Sequence, residues 1–327
     1  MTQRRAGRRG RQQPARTGAT PRRLRGEIAS GSQALLLRAG IGLLRRLGPV
    51  NASNLGGWVG RRLGPLLPAS RTADMNLRHA LPALDAGARA RIIAAVWDNL
   101  GRNVTELPHL ARLAGSLGAA SWTIEGEQHL AATLGGEQSL FFSGHFGNWE
   151  LVLPIAASLG LQVSGFYRAA ADARIDGIIQ SLRSTPGSGG VSMFPKGAAG
   201  ARAALSHLQH GGSLGMLVDQ KMNDGIPVPF FGRPAMTAPA LAQLALRYRL
   251  PLIPIRVIRR GPARFAVVVE APLAVALTGR RHDDIFALSL AINQRLEHWI
   301  RQDPGAWLWL HRRWPTGSPE RCDLTHG

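Results

Sequence analysis

The chain lacks the residues on which disulfide-bonded and thiolate-metal proteins depend, because its 327 residues include one cysteine, Cys322. A single cysteine excludes an internal disulfide and a cluster of cysteine metal ligands. Lysine is nearly absent, with Lys196 and Lys221 alone, so arginine supplies almost all of the positive charge. Acidic residues are also few, and 20 Asp and Glu against 40 Lys and Arg give a net charge of +20. This excess predicts an anionic partner, which can be nucleic acid, anionic lipid or an acidic protein.

A long apolar run is also missing, although a membrane-spanning helix needs about 20 mostly apolar residues. The nearest candidate, residues 33–50, is interrupted by Arg38, Arg45 and Arg46. The basic start also lacks the apolar core and small-residue cleavage site of a secretory signal. Residues 27–47 instead place apolar side chains at helical spacing with arginines between them. This pattern is typical of an amphipathic helix in a membrane interface, and a helix packed on the protein is the alternative.

Composition divides the chain into four regions. Residues 1–26 hold nine arginines and no acidic residue, which predicts a disordered tail. Such a tail can attract an anionic membrane, or it can be a solvated extension without a role. Residues 27–118 are expected to be a helical, membrane-associating region, residues 119–315 an α/β domain, and residues 316–327 a C-terminal tail.

Short apolar runs alternate with helical patterns after Trp122, which is the signature of an α/β fold. We expect a mixed central sheet flanked by helices, preceded by the helical N-terminal region. The predicted strands are 139–143, 162–167, 214–218, 252–258 and 265–270. The predicted helices are 148–159, 173–184, 198–210, 238–249 and 283–302.

The most informative stretch is SGHFGNWE, residues 143–150, which joins the first of these strands to a helix. Five residues along an ideal helix separate two side chains by roughly 140°, so His145 and Glu150 can meet only if His145 lies on the turn before the helix. We expect Glu150 to accept from one imidazole nitrogen, which would raise the basicity of the other. The alternative is a buried, satisfied histidine near an unrelated acid.

Other polar residues follow the predicted strands. Asn148 can donate to an oxyanion or cap the helix. Asp219 and Gln220 follow a predicted strand at its carboxyl end, where α/β proteins place their sites, or they form a solvated turn. Arg168 can bind a phosphate or carboxylate, or form a structural ion pair. An aromatic and basic segment, residues 307–314, suits a lipid interface, nucleic-acid stacking or core packing.

Four blocks together resemble the lipid A biosynthesis (lauroyl/myristoyl) acyltransferase family, within the glycerolipid acyltransferase superfamily. The resemblance covers roughly residues 30–315 and implies that fold. It implies a catalytic His145 assisted by Glu150, with Arg168, Asp219 and Gln220 binding substrate. In FPKG, residues 194–197, Lys196 replaces the glutamate of a phosphate-binding motif, which disfavours a glycerophosphate acceptor. The blocks are GHFGNWE (144–150), FYR (166–168), VDQ (218–220) continuing to VPFFG (228–232), and WLWLHRRW (307–314).

This resemblance implies transfer of a fatty acyl chain from acyl-acyl carrier protein to a hydroxyl of a Kdo-bearing lipid A precursor. The acidic carrier protein and the phosphorylated lipid both suit the positive charge. The expected location is the cytoplasmic face of the inner membrane, as a peripheral or monotopic protein, although many relatives begin with a spanning helix. No metal or organic cofactor is implied.

Three alternatives remain open from the sequence. An enzyme of the same branch can acylate another membrane glycolipid, such as a phosphatidylinositol mannoside. A hydrolase can use the same histidine with water as the acceptor. A basic nucleic-acid-binding protein would explain the charge, but no nucleic-acid motif accompanies it, so we expect no nucleic-acid partner.

Overall fold

The computed structural model describes residues 21–115, 121–183 and 193–314, with side chains from residue 32 onward. The helices are α1 (Pro21–Leu63), α2 (Ala69–Ala80), α3 (Ala86–Glu106), α4 (Leu110–Leu113), α5 (Ala131–Leu134), α6 (Val152–Ser158), α7 (Ala173–Arg183), α8 (Ala198–Gln209), α9 (Ala240–Tyr248) and α10 (Arg281–Gln302). The strands are β1 (Trp122–Glu125), β2 (Leu140–Ser143), β3 (Val163–Tyr167), β4 (Met193–Pro195), β5 (Ser213–Leu217), β6 (Ile226–Phe230), β7 (Arg233–Thr237), β8 (Leu252–Gly261) and β9 (Arg264–Val269).

A seven-stranded sheet forms the centre of the described structure, with the order β1-β9-β8-β2-β5-β3-β4. β8 and β9 pair antiparallel, and the other neighbours pair parallel, so the sheet is mixed. β6 and β7 form a separate antiparallel hairpin. The expected α/β fold with a mixed central sheet and a helical N-terminal region is confirmed.

Both faces of the sheet are covered at its centre, since every residue of β2 is buried. Successive residues of a strand point to opposite faces. Phe141 joins a core with α4 and α6, while Phe142 joins a second core with α2, α9 and α10. A strand buried on both sides reads as a continuous apolar run, which is why LFFS was recognisable in the sequence.

The N-terminal helices pack along this domain through α1 and α3. α1 breaks at Gly48, whose φ of 72° leaves the helical region, and Pro49 follows it. Before the break, Ile41 packs with Ile178 of α7. After it, Gly56 lies so close to Gly101 of α3 that a Cβ at Gly56 would collide with the Gly101 carbonyl oxygen. Within the described ranges, none of the helices is both long and apolar enough to cross a membrane.

The five predicted strands correspond to β2, β3, β5, β8 and β9, and the five predicted helices to α6 to α10. β1, β4 and the β6–β7 hairpin were not predicted. β4, β6 and β7 each contain proline, which argues against a strand in a sequence, and β1 is a four-residue segment without a continuous apolar run. Of the predicted tail, residues 1–20 lie outside the described residues, while residues 21–26 belong to α1. The predicted C-terminal tail also lies outside the described residues.

Candidate active site

The candidate site lies where four parallel strands end side by side. His145 follows β2, Asp219 follows β5, Arg168 follows β3 and Lys196 follows β4. Because β2, β5, β3 and β4 are consecutive neighbours in the sheet, these residues lie along one edge. Neighbouring strands are about 4.8 Å apart, so the four positions span roughly 14 Å.

Asp219 is the carboxylate that holds His145. Its Oδ1 lies 2.8 Å from His145 Nδ1, and its Oδ2 accepts the His145 backbone N–H at 2.8 Å. The indole Nε1 of Trp307 donates to Oδ2 at 2.7 Å. An ionised carboxylate only accepts, so His145 Nδ1 carries a proton, and in the neutral ring Nε2 presents its lone pair.

The charge of Asp219 is stabilised despite complete burial. Burial raises the pKa of this carboxyl, but interaction with the His145 ring and the donated hydrogen bonds outweighs burial and holds the pKa well below its usual range. Asp219 is therefore ionised across the physiological range. His145 keeps 14% of its side chain accessible, so a substrate can reach a ring that is oriented from behind.

The structure corrects the expectation that Glu150 is hydrogen bonded to His145. Glu150 instead receives two hydrogen bonds from Arg183 of α7, from Nε at 2.8 Å and Nη2 at 2.6 Å. Glu150 lies in a 3-10 turn, residues Trp149–Leu151, that precedes α6, and this turn carries its carboxylate to α7. Asp219, for which the family resemblance implies substrate binding, makes the hydrogen bond to His145 that was expected of Glu150.

Both expectations for Asn148 are also corrected. Its Nδ2 donates to Glu106 Oε2 at 2.7 Å, and the residue is completely buried, so this amide cannot reach an oxyanion. It occupies the N-cap position of the 3-10 turn, but its side chain makes no capping hydrogen bond. Asn148 therefore links the turn to Glu106 at the end of α3.

The segment after α10 closes over the His145 turn. Leu308 N donates to the His145 carbonyl at 3.1 Å, and Gly147 N donates to the Ala306 carbonyl at 3.2 Å. Phe146 and Trp307 form an antiparallel bridge between the two segments. The C-terminal WLWLHRRW block therefore contributes backbone and side-chain contacts to the site.

The tryptophans of this block are core residues. Trp307 and Trp309 are fully buried, and Trp314 is 4% exposed. Arg313 is also fully buried, and its guanidinium lies 4.8 Å from the centre of the Phe230 ring. Burial lowers the pKa of Arg313 to about 10. Of the alternatives drawn from the sequence, core packing describes these rings.

His311 brings a second imidazole to the site. Its ring centre lies 6.3 Å from that of His145 and 5.5 Å from the Trp307 ring. Burial lowers the pKa of His311. Burial therefore disfavours a positive charge on His311 beside His145.

The remaining predicted residues lie on the substrate side. Gln220 Nε2 is 3.4 Å from His145 Nε2, which suits an amide donor facing an imidazole lone pair. Arg168 is exposed. Lys196 N donates to the Tyr167 carbonyl at 2.9 Å, so Lys196 lies beside Arg168. Burial and the neighbouring Arg168 lower the pKa of Lys196.

The family model for bacterial lipid A biosynthesis acyltransferases matches residues 32–316. The chain belongs to this family. The match includes the His145 turn, the strands that carry Asp219 and Arg168, and the C-terminal tryptophan block. No curated protein matches the chain. A solved structure, the 1-acyl-sn-glycerophosphate (LPA) acyltransferase PlsC from Thermotoga maritima, is similar with a TM-score of 0.32 and 11% identity, over 72% of this chain and 98% of that one.

Membership in the lipid A acyltransferase family makes the protein an enzyme that transfers acyl groups. It also implies a lipid acceptor and association with a membrane. Four residues of the hydrogen-bond network around the His145 turn were missed in the sequence, namely Asn99, Asn103, Glu106 and Arg259. The first three recur on one face of α3, a polar stripe that was a readable signal. Arg259 comes from β8 and has no local signal.

Proposed function

We propose that the protein transfers a fatty acyl chain from acyl-acyl carrier protein to a hydroxyl of a Kdo-bearing lipid A precursor, with His145 as the general base and Asp219 as its partner. The His145–Asp219 hydrogen bond at 2.8 Å carries this proposal. It gives the family's acyl transfer a base with a defined tautomer and a reachable nitrogen.

The reaction follows from that tautomer. His145 Nε2 removes the proton of the acceptor hydroxyl as its oxygen attacks the thioester carbonyl carbon. Asp219 stabilises the imidazolium that forms, since its carboxylate is already hydrogen bonded to Nδ1. When the tetrahedral intermediate collapses, the C–S bond breaks and the thiolate leaves with the proton that His145 gives back. The products are an ester and the free thiol of the carrier.

The cations at the sheet edge suit both substrates. Arg168 and Lys196 lie side by side, and in the described part of the chain neither has an acidic partner within ion-pair distance. Two neighbouring positive charges repel each other, and an anionic group between them relieves that repulsion. We assign the pair to a phosphate of the acceptor lipid, with Gln220 beside the reacting hydroxyl.

The membrane contact belongs to α1 and the turn after it. Among the described residues, most of the exposed large apolar side chains fall between residues 35 and 67. Arginines 38, 45, 46, 61 and 62 are interspersed and exposed. Apolar side chains with arginines suit an anionic membrane interface, and we assign the surface to the cytoplasmic face of the inner membrane. We call this surface the α1 surface. Its exposed apolar residues include Leu35, Leu36, Leu43, Trp58, Leu63 and Leu66.

The reaction is tested with purified protein, labelled acyl-acyl carrier protein and a Kdo-bearing lipid A precursor, beside His145→Ala. We expect an acylated lipid from the wild type and a rate lower by about 10²- to 10⁴-fold in the variant, the usual contribution of a general base. Free fatty acid without lipid product would identify a hydrolase. Acylation of a phosphatidylinositol mannoside but not of the lipid A precursor would change the acceptor.

The membrane contact is tested by sedimentation with anionic and zwitterionic vesicles. We expect binding to anionic vesicles that weakens with salt, and weaker binding after Leu36→Ser with Leu66→Ser. Leu277→Ser is the matched control, since Leu277 is 54% exposed but lies far along the chain from the α1 surface. Equal binding by the double variant and the control would remove α1 from the membrane contact.

A further inference from the structure

We propose that Asn99 and Asn103 of α3 are positioning residues for acyl transfer, holding the His145 turn through the carbonyl oxygen of Gly147. The proposal rests on the proposed role of His145 as the base. Asn99, Asn103 and Glu106 recur at intervals of four and three residues, which places them on one face of the helix. That face meets the turn.

The Gly147 carbonyl accepts two side-chain amides at once. Asn99 Nδ2 donates to it at 2.9 Å and Asn103 Nδ2 at 2.6 Å. A carbonyl oxygen has two lone pairs, so its hydrogen-bonding capacity is filled. Gly147 is two residues after His145. The orientation of its peptide group therefore helps to set the position of the His145 backbone, from which the imidazole extends.

Gly147 has a conformation that needs this support. Its φ is +50°, a left-handed value that favours glycine. A Cβ at this position would collide with the carbonyl oxygen of Val257 on β8. The turn thus lies directly on the sheet, with the α3 amides at its carbonyl and Ala306 at its N–H.

Arg259 fixes which way both asparagine amides face. Its Nε donates to Asn99 Oδ1 at 3.0 Å, and its Nη2 donates to Asn103 Oδ1 at 2.6 Å. With their oxygens on Arg259, both amides direct Nδ2 at Gly147. Glu106, fully buried, accepts from Arg259 Nη1 at 2.5 Å and from Asn148 Nδ2 at 2.7 Å.

This network connects the turn to α3 and β8 through side-chain hydrogen bonds. Breaking a buried ion pair is strongly destabilising, so Glu106 and Arg259 are poor targets for a test of positioning. The two asparagines separate the effects, since each gives one hydrogen bond to Gly147. A displacement of about 1 Å in a reacting group can lower a rate by about 100-fold. Loss of the amide donors should therefore appear in kcat.

Asn103→Asp is the sharpest variant. It keeps the side-chain volume and the acceptor for Arg259, but replaces the N–H donor with an oxygen that repels the Gly147 carbonyl. We expect kcat to fall by about 10- to 100-fold while KM for both substrates changes by less than about threefold. Asn99→Asp should have a smaller effect of the same kind, because its hydrogen bond is longer.

Asn293→Asp is a matched control. Asn293 is a fully buried asparagine whose Nδ2 donates to the Pro229 carbonyl at 3.0 Å, with Arg313 Nη2 3.5 Å from its Oδ1. The same substitution there creates the same chemical change away from the His145 turn. We expect a similar loss of thermal stability with kcat within about threefold of the wild type.

Hydrogen exchange of peptides covering residues 143–150 supplies a readout that does not depend on activity. Asn103→Asp should speed exchange there, and Asn293→Asp should not. Equal kcat losses in the two variants, a loss through KM alone, or unchanged exchange in Asn103→Asp would overturn the proposal. A wild type without acyl transfer, but with the expected exchange difference, would instead overturn the proposed function and leave the support of the turn standing.

Discussion

The two acidic residues weighed as partners of the His145 ring, Asp219 and Glu150, have opposite surroundings. Asp219 is completely buried and receives hydrogen bonds from the His145 ring, the His145 backbone and Trp307. Glu150 retains 16% of its side-chain exposure and pairs with Arg183. The sequence favoured Glu150 because it is five residues away, whereas Asp219 is 74 residues away and one strand across. Distance along the sheet, more than distance along the chain, determines which acid meets the imidazole.

That contrast extends to electrostatics. In the described part of the chain, the hydrogen bonds to the Asp219 carboxylate come from the imidazole, a backbone N–H and an indole N–H, and none comes from a guanidinium, so its charge is available to a protonated His145. The Glu150 charge is already balanced by a guanidinium. A carboxylate that is already paired with a guanidinium stabilises an imidazolium less. Replacing each acid by its amide should therefore lower kcat much more at Asp219 than at Glu150.

The largest effect is expected from Asp219→Asn. The amide keeps the shape but loses the charge that fixes the tautomer and stabilises the imidazolium, so kcat should fall by about 10²- to 10⁴-fold. Steady-state kinetics at saturating acyl donor measure this. Asp284→Asn is the control. Asp284 is also a buried aspartate that accepts backbone N–H groups, but it lies at the start of α10 and, in the described structure, makes no hydrogen bond to the His145 turn. Comparable losses of kcat in both variants would contradict a specific role for Asp219.

Trp307→Phe should have an intermediate effect. It removes one hydrogen bond to a buried carboxylate, and bonds to charged groups contribute about 1.5–3 kcal/mol, so kcat should fall by about 10- to 100-fold. Trp309→Phe is the matched control, because its buried indole donates to the Pro304 carbonyl instead. If Trp309→Phe lowers kcat as much at equal stability, the hydrogen bond to Asp219 is not the cause.

Glu150→Gln should have a smaller effect, within about fivefold in kcat, since its partly exposed ion pair contributes about 1 kcal/mol. Arg183→Gln should behave alike, and the double variant should match either single variant because both remove one interaction. The double-mutant cycle in kcat and in unfolding free energy measures this coupling. A loss from Glu150→Gln as large as that from Asp219→Asn would restore Glu150 as the partner of the base.

The smallest effect is on stability in acid. The pKa of Asp219 is lower in the folded protein than its value of 3.8 in an unfolded chain, so its ionisation stabilises the fold above about pH 4. That contribution is lost as the pH falls from there toward the folded pKa. The difference in unfolding free energy between wild type and Asp219→Asn should therefore begin to shrink below about pH 5 and continue to shrink as the pH falls toward the folded pKa. A constant difference would mean that the charge does not contribute.

The sequence predicted the parts of the fold that have local signals. The buried strand before His145, the helices α6 to α10 and the choice of His145 as the candidate base all follow from apolar runs, periodicity and a recognisable motif. Asp219 was singled out at the end of a strand, but the sequence does not tell which strands are neighbours. The order β2-β5-β3 brings Asp219 beside His145, and that order arises from packing across the whole sheet.

The support beneath the turn was harder to predict. Asn99, Asn103 and Glu106 form a polar stripe on α3 that ordinary helical spacing could have revealed. Their contacts are with Arg259, which is about 150 residues away on β8, and with the backbone carbonyl of Gly147. Neither partner can be recognised from the sequence of α3. Contacts that use backbone atoms as acceptors leave little trace in a sequence.

The central claim, that Asp219 rather than Glu150 holds His145, is most directly tested by proton NMR of the His145 ring. In protein with labelled histidine, the Nδ1 proton bound to a carboxylate should give a low-field signal, assigned by its loss in His145→Gln. We expect this signal to persist in Glu150→Gln and to disappear in Asp219→Asn. Its loss in Glu150→Gln, with persistence in Asp219→Asn, would contradict the account.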